Sequence, residues 1–456
     1  MLGDWIVAFA DIVWGVPLVV LLVGGGIFFV IYSKGLPYRY FGHAIKILLG
    51  KYDDKLQPGQ INQFQAVSTA LASTIGMGNI SGVAVAISIG GPGAVFWMWV
   101  SALIGMSTKF FTCTLSVMFR SQDSKGNPIG GPMYYIVEGL GKKWRPMAVF
   151  FSVVGMIGVL PVFQANQLAR IIGFSVFPEM RGEQETWVYL TLGILISIPV
   201  MLVLFGGIKR IATVASTLVP FMVVLYFIAV TLILILHVDT IIPSFMIIFT
   251  DAFSGDAAAG GVLGAVILMG VRRAAFSNEA GIGTAPMAHG EARSSEPIRE
   301  GFAAMTEPFI DTIVVCTLTA LAIISTGAWQ NTEFDGIRVT AIAFENGLPY
   351  FGSFLLTICV AIFSVTSLFA FPYYGAKCFG FLFGEETRKY YEIFYCFSIV
   401  AGAVLSLGVV ISIADAAYGL MAVPNMIAAL ILAPRVKKEA VKYTSKYLKA
   451  RKPEKI

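Results

Sequence analysis

Long apolar stretches recur along the whole chain and constrain its fold more than any other feature of the sequence. They are about 20 residues or longer, which suits helices that cross roughly 30 Å of hydrocarbon. Strands of a membrane barrel would instead show segments of about ten residues with alternating polarity. Hydrophobic residues make up 57% of the 456 residues and charged residues only 13%, against about a quarter in soluble domains. The sequence therefore predicts an all-α polytopic membrane protein.

The apolar windows between Gly, Pro and charge clusters predict about eleven membrane-spanning helices. These lie near residues 15–32, 64–89, 93–119, 146–174, 187–205, 211–237, 260–289, 301–327, 349–379, 390–409 and 412–434. Shorter helices that do not span are predicted at 38–49, 133–140 and 337–345. The five cysteines fall within predicted spans and lack metal-ligand spacing, which indicates apolar packing.

Lys and Arg residues are distributed unevenly between the two sets of connections. If the N-terminus is outside, the inner connections and the tail hold most of them, and the outer connections keep Arg181 and Arg338. This bias predicts a multi-pass protein of the cell membrane with a cytoplasmic C-terminus. The net charge of +5 is then explained by topology and attraction to the inner leaflet, not by nucleic-acid binding.

Two glycine pairs interrupt apolar stretches at corresponding places in the two halves of the chain. The first pair is Gly76 and Gly78, and the second is Gly281 and Gly283. Glycine costs a helix interior about 1 kcal/mol relative to Ala, and irregular backbone at membrane depth is tolerated only where it is buried in protein or lines a cavity. Such matched breaks indicate a transporter binding site. The alternative is that these small residues merely allow close helix packing.

An odd number of spans near eleven suggests one extra helix and an inverted repeat of five plus five. The predicted divisions are an extra N-terminal transmembrane helix with an inner amphipathic segment at 1–63, a first repeat at 64–237, a second repeat at 260–434 and a basic cytoplasmic tail at 435–456. Each glycine-broken helix then begins one repeat, and the two run in opposite directions, as inverted repeats require.

The residues around the two breaks strongly resemble the alanine or glycine:cation symporter family, and the resemblance covers nearly the whole chain. They are STIGMGNISGV at 73–83, GGPGAVFWMW at 90–99 and GVRRAAFSNEAG at 270–281. The resemblance implies a LeuT-type fold, uptake of alanine or glycine driven by sodium or protons, and no cofactor apart from the co-transported ion. A weaker similarity links the Gly-x-Gly-Asn at 76–79 and the Phe-Ser at 276–277 to sodium:neurotransmitter-type symporters of the same fold.

Free N–H groups and about half a positive charge at the start of a helix suit a carboxylate. We predict that the backbone around Gly76 to Asn79 binds the substrate carboxylate and that carbonyls freed near the second break bind its ammonium. Phe276 is expected to cap a methyl-sized pocket, and Gln164 to place a polar group in it. The predicted substrate-binding residues are Gly76, Gly78, Asn79, Gln164, Phe276, Ser277 and Gly281.

Two cation sites are implied by similarity to proteins of this fold. Thr366 and Ser367 match a hydroxyl pair that binds sodium together with two backbone carbonyls, here those of Ala72 and Ile75. The alternative is that these hydroxyls bond back to their own helix. A possible second site is formed by Thr74, Asn79 and Ser277.

Glu279, beside the second break, is a candidate proton carrier, because an acid within the membrane is a functional hypothesis by default. The alternative is an internal ion pair with Lys109, Arg272 or Arg273. The same question applies to Asp415 and to Glu307 and Asp311, which are expected on one face of the eighth span.

Other function classes lack support in the sequence. It has no nucleophile elbow, zinc-protease motif or phosphate loop, and its three histidines lie far apart, which argues against an enzyme. A channel filter is usually built from repeated subunits. We therefore predict a symporter that imports alanine or glycine with sodium by alternating access. A proton-coupled amino-acid carrier and an ion channel are the alternatives, and the oligomeric state is left open.

Overall fold

The computed structural model describes residues 2–177, 183–253, 262–331 and 336–449. Its helices are α1 Leu2–Val13, α2 Val16–Tyr32, α3 Leu36–Arg39, α4 Phe41–Leu48, α5 Gln63–Thr74, α6 Gly78–Gly90, α7 Ala94–Met118, α8 Pro132–Leu140, α9 Arg145–Gly158, α10 Val162–Val176, α11 Glu183–Leu204, α12 Gly207–Leu236, α13 Val238–Asp251, α14 Val262–Asn278, α15 Ala285–His289, α16 Pro297–Ser325, α17 Ile337–Gly347, α18 Gly352–Phe383, α19 Arg388–Val404 and α20 Leu407–Leu448. Short 3₁₀ turns lie at Lys142–Trp144, Ala328–Gln330 and Glu385–Thr387. The predicted helical class is confirmed, with one small hairpin of β1 Ser121–Gln122 and β2 Pro128–Ile129.

Seven helical segments of the described chain are long and apolar enough to cross a membrane, or nine if two bent pairs each count as one span. The bent pairs are α1 with α2, at 46°, and α5 with α6, at 53°. Two further predicted spans correspond to α14 and α19, which have 17 residues each, or roughly 26 Å at the usual rise per residue. The total of eleven therefore stays a prediction.

Two helices were not predicted from the sequence. The first expected span begins at residue 15, but α1 precedes it, and the chain bends because Gly15 is extended and Pro17 lacks an N–H group. Helix α13 follows α12 directly and contains Pro243, which reads as a helix breaker in a sequence. The three short helices in the connections are confirmed as α3 with α4, α8 and α17.

Some predictions concern residues outside the described ranges. These are Arg181 in an outer connection, residues 260–261 at the start of the second repeat and residues 450–456 of the basic tail.

The helix breaks lie in the interior because other helices enclose them. Helix α5 packs against α12 and α18, and α14 packs along α7, which also contacts the first turns of α16. Large apolar side chains instead cover the outer faces of α11 and α12, among them Leu202, Phe221 and Ile235, each more than half exposed. These faces suit contact with lipid, whereas Asn79 and Ser277 at the two breaks are fully buried.

Candidate substrate and cation site

The first break separates α5 from α6. Helix α5 ends at Thr74, Ile75 is extended, and a π-helical turn begins at Gly78. A Cβ atom added at Gly76 would lie 2.4 Å from Ser367 Oγ in α18, and one added at Gly78 would lie 3.1 Å from Ser277 Cα in α14. The two glycines therefore let the broken backbone touch both neighbouring helices.

The side chain of Asn79 organises this break. Its Oδ1 accepts the Gly76 N–H at 2.9 Å, an N–H that a continuous helix would give to the Ala72 carbonyl. Its Nδ2 donates to Asp311 Oδ1 at 2.8 Å and to the Asp311 carbonyl at 3.0 Å. The Asn79 amide thus bonds to the N–H group that the break leaves unpaired, leaves the Ala72 carbonyl without its helical bond and donates a hydrogen bond to α16.

Asp311 joins the first break to the second. Its Oδ2 accepts from Ser277 Oγ at 2.9 Å and from Thr312 Oγ1 at 2.7 Å. The side chain is fully buried and forms no ion pair with any described residue. A buried carboxylate held only by neutral donors is an attractive position for a cation.

The second break lies between α14 and α15. Glu279 adopts a left-handed φ of 55°, and Gly281 and Gly283 have φ of 90° and 108°. An added Cβ at Gly281 would lie 2.6 Å from Leu22 Cδ2. The Gly281 carbonyl accepts from Asn425 Nδ2 at 2.6 Å. Here the second glycine pair is required by backbone conformation as well as by close packing.

Asn278 stabilises the same break from inside α14. Its Oδ1 accepts the Ala280 N–H at 2.9 Å, and its Nδ2 donates to Thr312 Oγ1 at 3.0 Å. Asn79 and Asn278 therefore each accept a backbone N–H group at a helix break, and they donate to adjacent residues of α16, Asp311 and Thr312.

Glu279 bonds to hydroxyl groups. Its Oε1 accepts from the Tyr418 hydroxyl at 2.9 Å, and its Oε2 accepts from Thr284 Oγ1. The three cations considered as its partners pair elsewhere: Lys109 with Glu307, and Arg272 and Arg273 with Asp415. None of these three cations therefore forms an ion pair with Glu279, and its role as a proton carrier stays a prediction.

Glu307 and Asp311 do not serve one cluster, although the sequence places them four residues apart. Glu307 bonds to Lys109 and His289, whereas Asp311 bonds to Asn79 and Ser277. The helix is π-helical from Phe309 to Cys316, a stretch that includes Asp311 but not Glu307. The two carboxylates therefore have different hydrogen-bond partners, and their shared helix face stays a prediction.

Phe276, at the end of α14, packs among other aromatic side chains and close to the first break. Phe276 packs edge-on against Phe163 at 5.1 Å between ring centroids and lies 5.6 Å from the Tyr418 ring. A Cβ atom added at Gly78 would lie 3.6 Å from Phe276 Cδ1. Gln164 is buried in α10, next to Phe163 in the chain. The structure thus brings Phe276 to the first break.

The α18 hydroxyls lie beside the first break and bond to their own helix. Thr366 Oγ1 donates to the Ile362 and Phe363 carbonyls, at 3.0 and 2.8 Å, and Ser367 Oγ donates to Phe363 at 3.1 Å. Ser364 Oγ, one turn earlier, is buried without a hydrogen-bond partner among the described residues. The oxygen lone pairs of Thr366 and Ser367 stay available to a cation, since each hydroxyl donates its proton to a carbonyl.

Two polar clusters lie before and after the second break. Before it, Asp415 accepts from Arg272 Nε at 2.8 Å and from Arg273, beside a cavity of about 450 Å³ that is also lined by Met269 and Ile411. After it, Glu291 Oε1 accepts from Lys377 Nζ at 2.6 Å.

The second cluster links the connection after α15 to α18 and to the segment before α5. Glu291 Oε2 accepts from Gln60 Nε2 at 2.6 Å, and Tyr373 donates to Oε1 at 2.7 Å. No local sequence signal predicts this cluster, because its members are more than 80 residues apart in pairs such as Tyr373 and Glu291. From the sequence, Asp311 is only one of several intramembrane acids.

Comparison with known proteins connects this geometry to a family. The model of the sodium:alanine symporter family matches residues 1–456. The sodium/alanine symporter AgcS of Methanococcus maripaludis is 39% identical over 430 residues, covering 92% of each chain. A putative sodium/proton-dependent alanine carrier protein of Bacillus subtilis, YrbD, is 33% identical and covers 95% of this chain and 90% of its own.

A solved structure shares the fold. The crystal structure of MhsT in complex with L-phenylalanine superposes with a TM-score of 0.57 at 14% identity, covering 86% of this chain and 90% of that one. This similarity confirms the predicted LeuT-type fold, and the family match confirms the resemblance read from the sequence around the two breaks.

Proposed function

This chain belongs to the sodium:alanine symporter family and is a sodium-coupled amino-acid symporter of the membrane, not an enzyme; we propose that it imports alanine or glycine through the site at the two helix breaks. The observation that carries the proposal is the bonding of Asn79 and Ser277 to one buried carboxylate, Asp311. Residues from both breaks therefore meet at one charged point.

The substrate would lie across the two breaks. The backbone around Gly76, Gly78 and Asn79, where α6 begins, binds its carboxylate, because a helix start offers N–H groups and positive charge. The end of α14 near Phe276, Ser277 and the Gly281 turn binds its ammonium. The Phe276 ring faces Gly78 and limits the side chain to a hydrogen or a methyl group, and Gln164 supplies a further polar contact.

Two sodium sites are proposed beside the substrate. The first consists of the Thr366 and Ser367 hydroxyls with the carbonyls of Ala72 and Ile75, and the Gly76 N–H bond to Asn79 supports it by freeing the Ala72 carbonyl. The second consists of Thr74, Asn79 and Ser277, to which we add Asp311 as the source of negative charge.

The direction of transport follows from the sodium gradient. With an outside N-terminus and a cytoplasmic C-terminus, sodium enters down its gradient and gains about 2.3 kcal/mol per charge for each 100 mV. We place the extra helix with its inner amphipathic segment at 1–63, the two repeats at 64–237 and 260–434, and the tail at 435–456. During transport, one bundle of helices rocks against the other around the site.

The test is uptake of labelled alanine by liposomes that contain the purified chain, with an inward sodium gradient or an equal choline gradient at fixed pH and voltage. We expect sodium-dependent accumulation, competition by unlabelled glycine and loss of uptake in Gly78→Leu. Gly264→Leu is the matched control, since a Cβ atom there meets no atom within 4 Å. Accumulation driven equally by choline would overturn sodium coupling, and a sodium current without amino acid would indicate a channel.

A further inference from the structure

A chain of buried ionisable side chains lies just beyond the second break. His289, the last residue of α15, is bonded through both ring nitrogens: Nδ1 to Glu300 Oε1 at 2.7 Å and Nε2 to Glu307 Oε1. Glu307 Oε2 also accepts from Lys109 Nζ. None of these four side chains is more than 1% exposed.

The two carboxylate contacts fix the number of protons that this cluster needs. A neutral imidazole has one N–H group and one bare nitrogen. With both glutamates ionised, the bare nitrogen of His289 would meet a carboxylate oxygen with no proton between them, which is costly in a buried site. Protonation of both nitrogens satisfies both contacts, and the charges of His289 and Lys109 then balance those of Glu300 and Glu307.

The Glu300 carboxylate is bonded through one oxygen, Oε1, to the His289 imidazole. Its second oxygen, Oε2, is buried and has no hydrogen-bond partner among the described residues. Helix α5, which packs against α15, has no ionisable side chain. The ionisable groups other than His289 and Glu300 on the elements packed against α15, and on the connection after it, are Lys109, Cys113 and Arg120 from α7 and its end, Glu291, Arg293 and Glu296 after α15, Arg299, Glu307, Asp311 and Cys316 from α16, and Cys359, Tyr373, Tyr374, Lys377 and Cys378 from α18.

We propose that Glu300, His289 and Glu307 form a proton-binding site, in which His289 is an imidazolium held between the two carboxylates. The site is separate from the proposed sodium and substrate residues. Helix α15 leads directly into Glu291, which bonds to Gln60 and Lys377. A movement that parts His289 from its carboxylates therefore also pulls on these contacts, so a bound proton favours the arrangement in which Glu291 keeps its bonds to Gln60 and Lys377.

Nitrogen-15 NMR of the full chain in lipid nanodiscs tests the protonation directly. The chain has only three histidines, and His289→Gln identifies the signals of His289. We expect two protonated ring nitrogens in the native chain at pH 7. In Glu300→Gln we expect a neutral ring, because the new amide can donate to Nδ1 while Nε2–H still donates to Glu307. A neutral His289 in the native chain would overturn the proposal.

Sodium-driven alanine uptake as a function of internal pH tests the coupling to movement. We expect the native rate to change at least threefold between pH 6 and pH 9, and Glu300→Gln to flatten this profile. Glu439→Gln, a partly exposed glutamate that pairs with Lys442, should keep the native profile. A flat native profile would overturn the coupling. The NMR result needs no transport, so failure of the proton site and failure of the proposed transport function are distinguishable.

Discussion

The side-chain amide of Asn79 donates to the Asp311 carboxylate at 2.8 Å and so connects the first helix break to α16. The second break reaches the same carboxylate through Ser277 at 2.9 Å. A single negative charge thus lies where two interrupted helices meet a third. In a low-dielectric interior such a charge strongly favours a nearby cation, which makes Asp311 the first residue to test.

Asp311→Asn should weaken sodium binding more than it disturbs the fold. The substitution keeps the size of the side chain but removes the charge and replaces one acceptor oxygen by an NH₂ donor, toward which the Ser277 and Thr312 hydroxyls can turn an oxygen lone pair. We expect the sodium concentration for half-maximal alanine uptake to rise at least tenfold, which corresponds to about 1.4 kcal/mol. The measurement is uptake into liposomes over a range of sodium concentrations.

Thr312→Val is the control for this result. It removes one hydroxyl that bonds to Asp311 at 2.7 Å but leaves the charge in place, so its sodium half-saturation should change by less than about threefold. Unchanged sodium dependence in Asp311→Asn, with normal uptake, would show that the carboxylate has a structural role.

Thr366→Val tests the first sodium site. The hydroxyl already donates to two carbonyls of α18, so its removal costs little in folding but deletes one possible sodium ligand. We expect the sodium half-saturation to rise about tenfold. Thr357→Val provides the comparison, because Thr357 donates to Ser353 in the same helix at 2.8 Å. Equal behaviour of the two variants would favour a purely structural Thr366.

The broken helices and the family could be predicted because their signals are local. Gly76 and Gly78 interrupt an apolar run within a few residues, and the stretches around them are long enough to be specific. The partner of Asn79 could not be predicted. Asp311 is one of several acids in apolar spans, and its direction depends on the π-helical register from Phe309 to Cys316, which has no clear sequence signature.

Buried pairs of side chains from distant segments are a second feature that the sequence does not predict. Glu291 meets Gln60, and Asp415 meets Arg273, across more than 140 residues in each case. Spacing along a helix cannot reveal such pairs. The sequence does not predict helices α1 and α13. Gly15 with Pro17 indicates a helix end, and so does Pro243, although helical residues lie on both sides of each.

Gly76→Ala should destabilise the fold by a steric effect that can be relieved. The new Cβ atom would lie 2.4 Å from Ser367 Oγ but 3.6 Å from Ser367 Cβ, so removal of the hydroxyl alone makes room. We expect Gly76→Ala to lower thermal stability by several degrees and Ser367→Ala to restore most of that loss in the double variant. Additive effects of the two changes would show that the contact between these residues is unimportant.

The docking of the last helical turn should depend on pH through Glu296, which lies outside the spans. Partial burial raises the pKa of Glu296, but hydrogen bonds from Tyr447 and Lys446 outweigh it and hold the pKa below its ordinary value of 4.5. A lowered pKa means that the contact contributes its full stability above pH 4.5 and loses it as the pH falls through the lowered pKa. Limited proteolysis should therefore cut near residue 446 faster at pH 3.5 than at pH 7, and Glu296→Gln should remove the difference.

Asp415→Asn should destabilise the protein far more than Asp11→Asn. Asp415 is fully buried and neutralises Arg273, which is 2% exposed, whereas Asp11 pairs with Arg272 while 62% exposed. Removing one partner of a buried pair costs about 3–5 kcal/mol, and removing an exposed partner costs about 1 kcal/mol or less. Thermal unfolding of the purified chain in detergent measures both.

The double variant Arg273→Leu with Asp415→Asn separates lost charge from lost packing. Once Arg273 is gone, no deeply buried cation is left unpaired at this position, because Arg272 keeps Asp11 at 2.7 Å. We therefore expect the double variant to be more stable than Asp415→Asn alone, since replacing a buried pair by neutral groups is often tolerated. If the double variant is instead less stable, the hydrogen bonds and packing of Arg273, whose guanidinium lies 5.1 Å from the Phe276 ring centre, matter more than its charge.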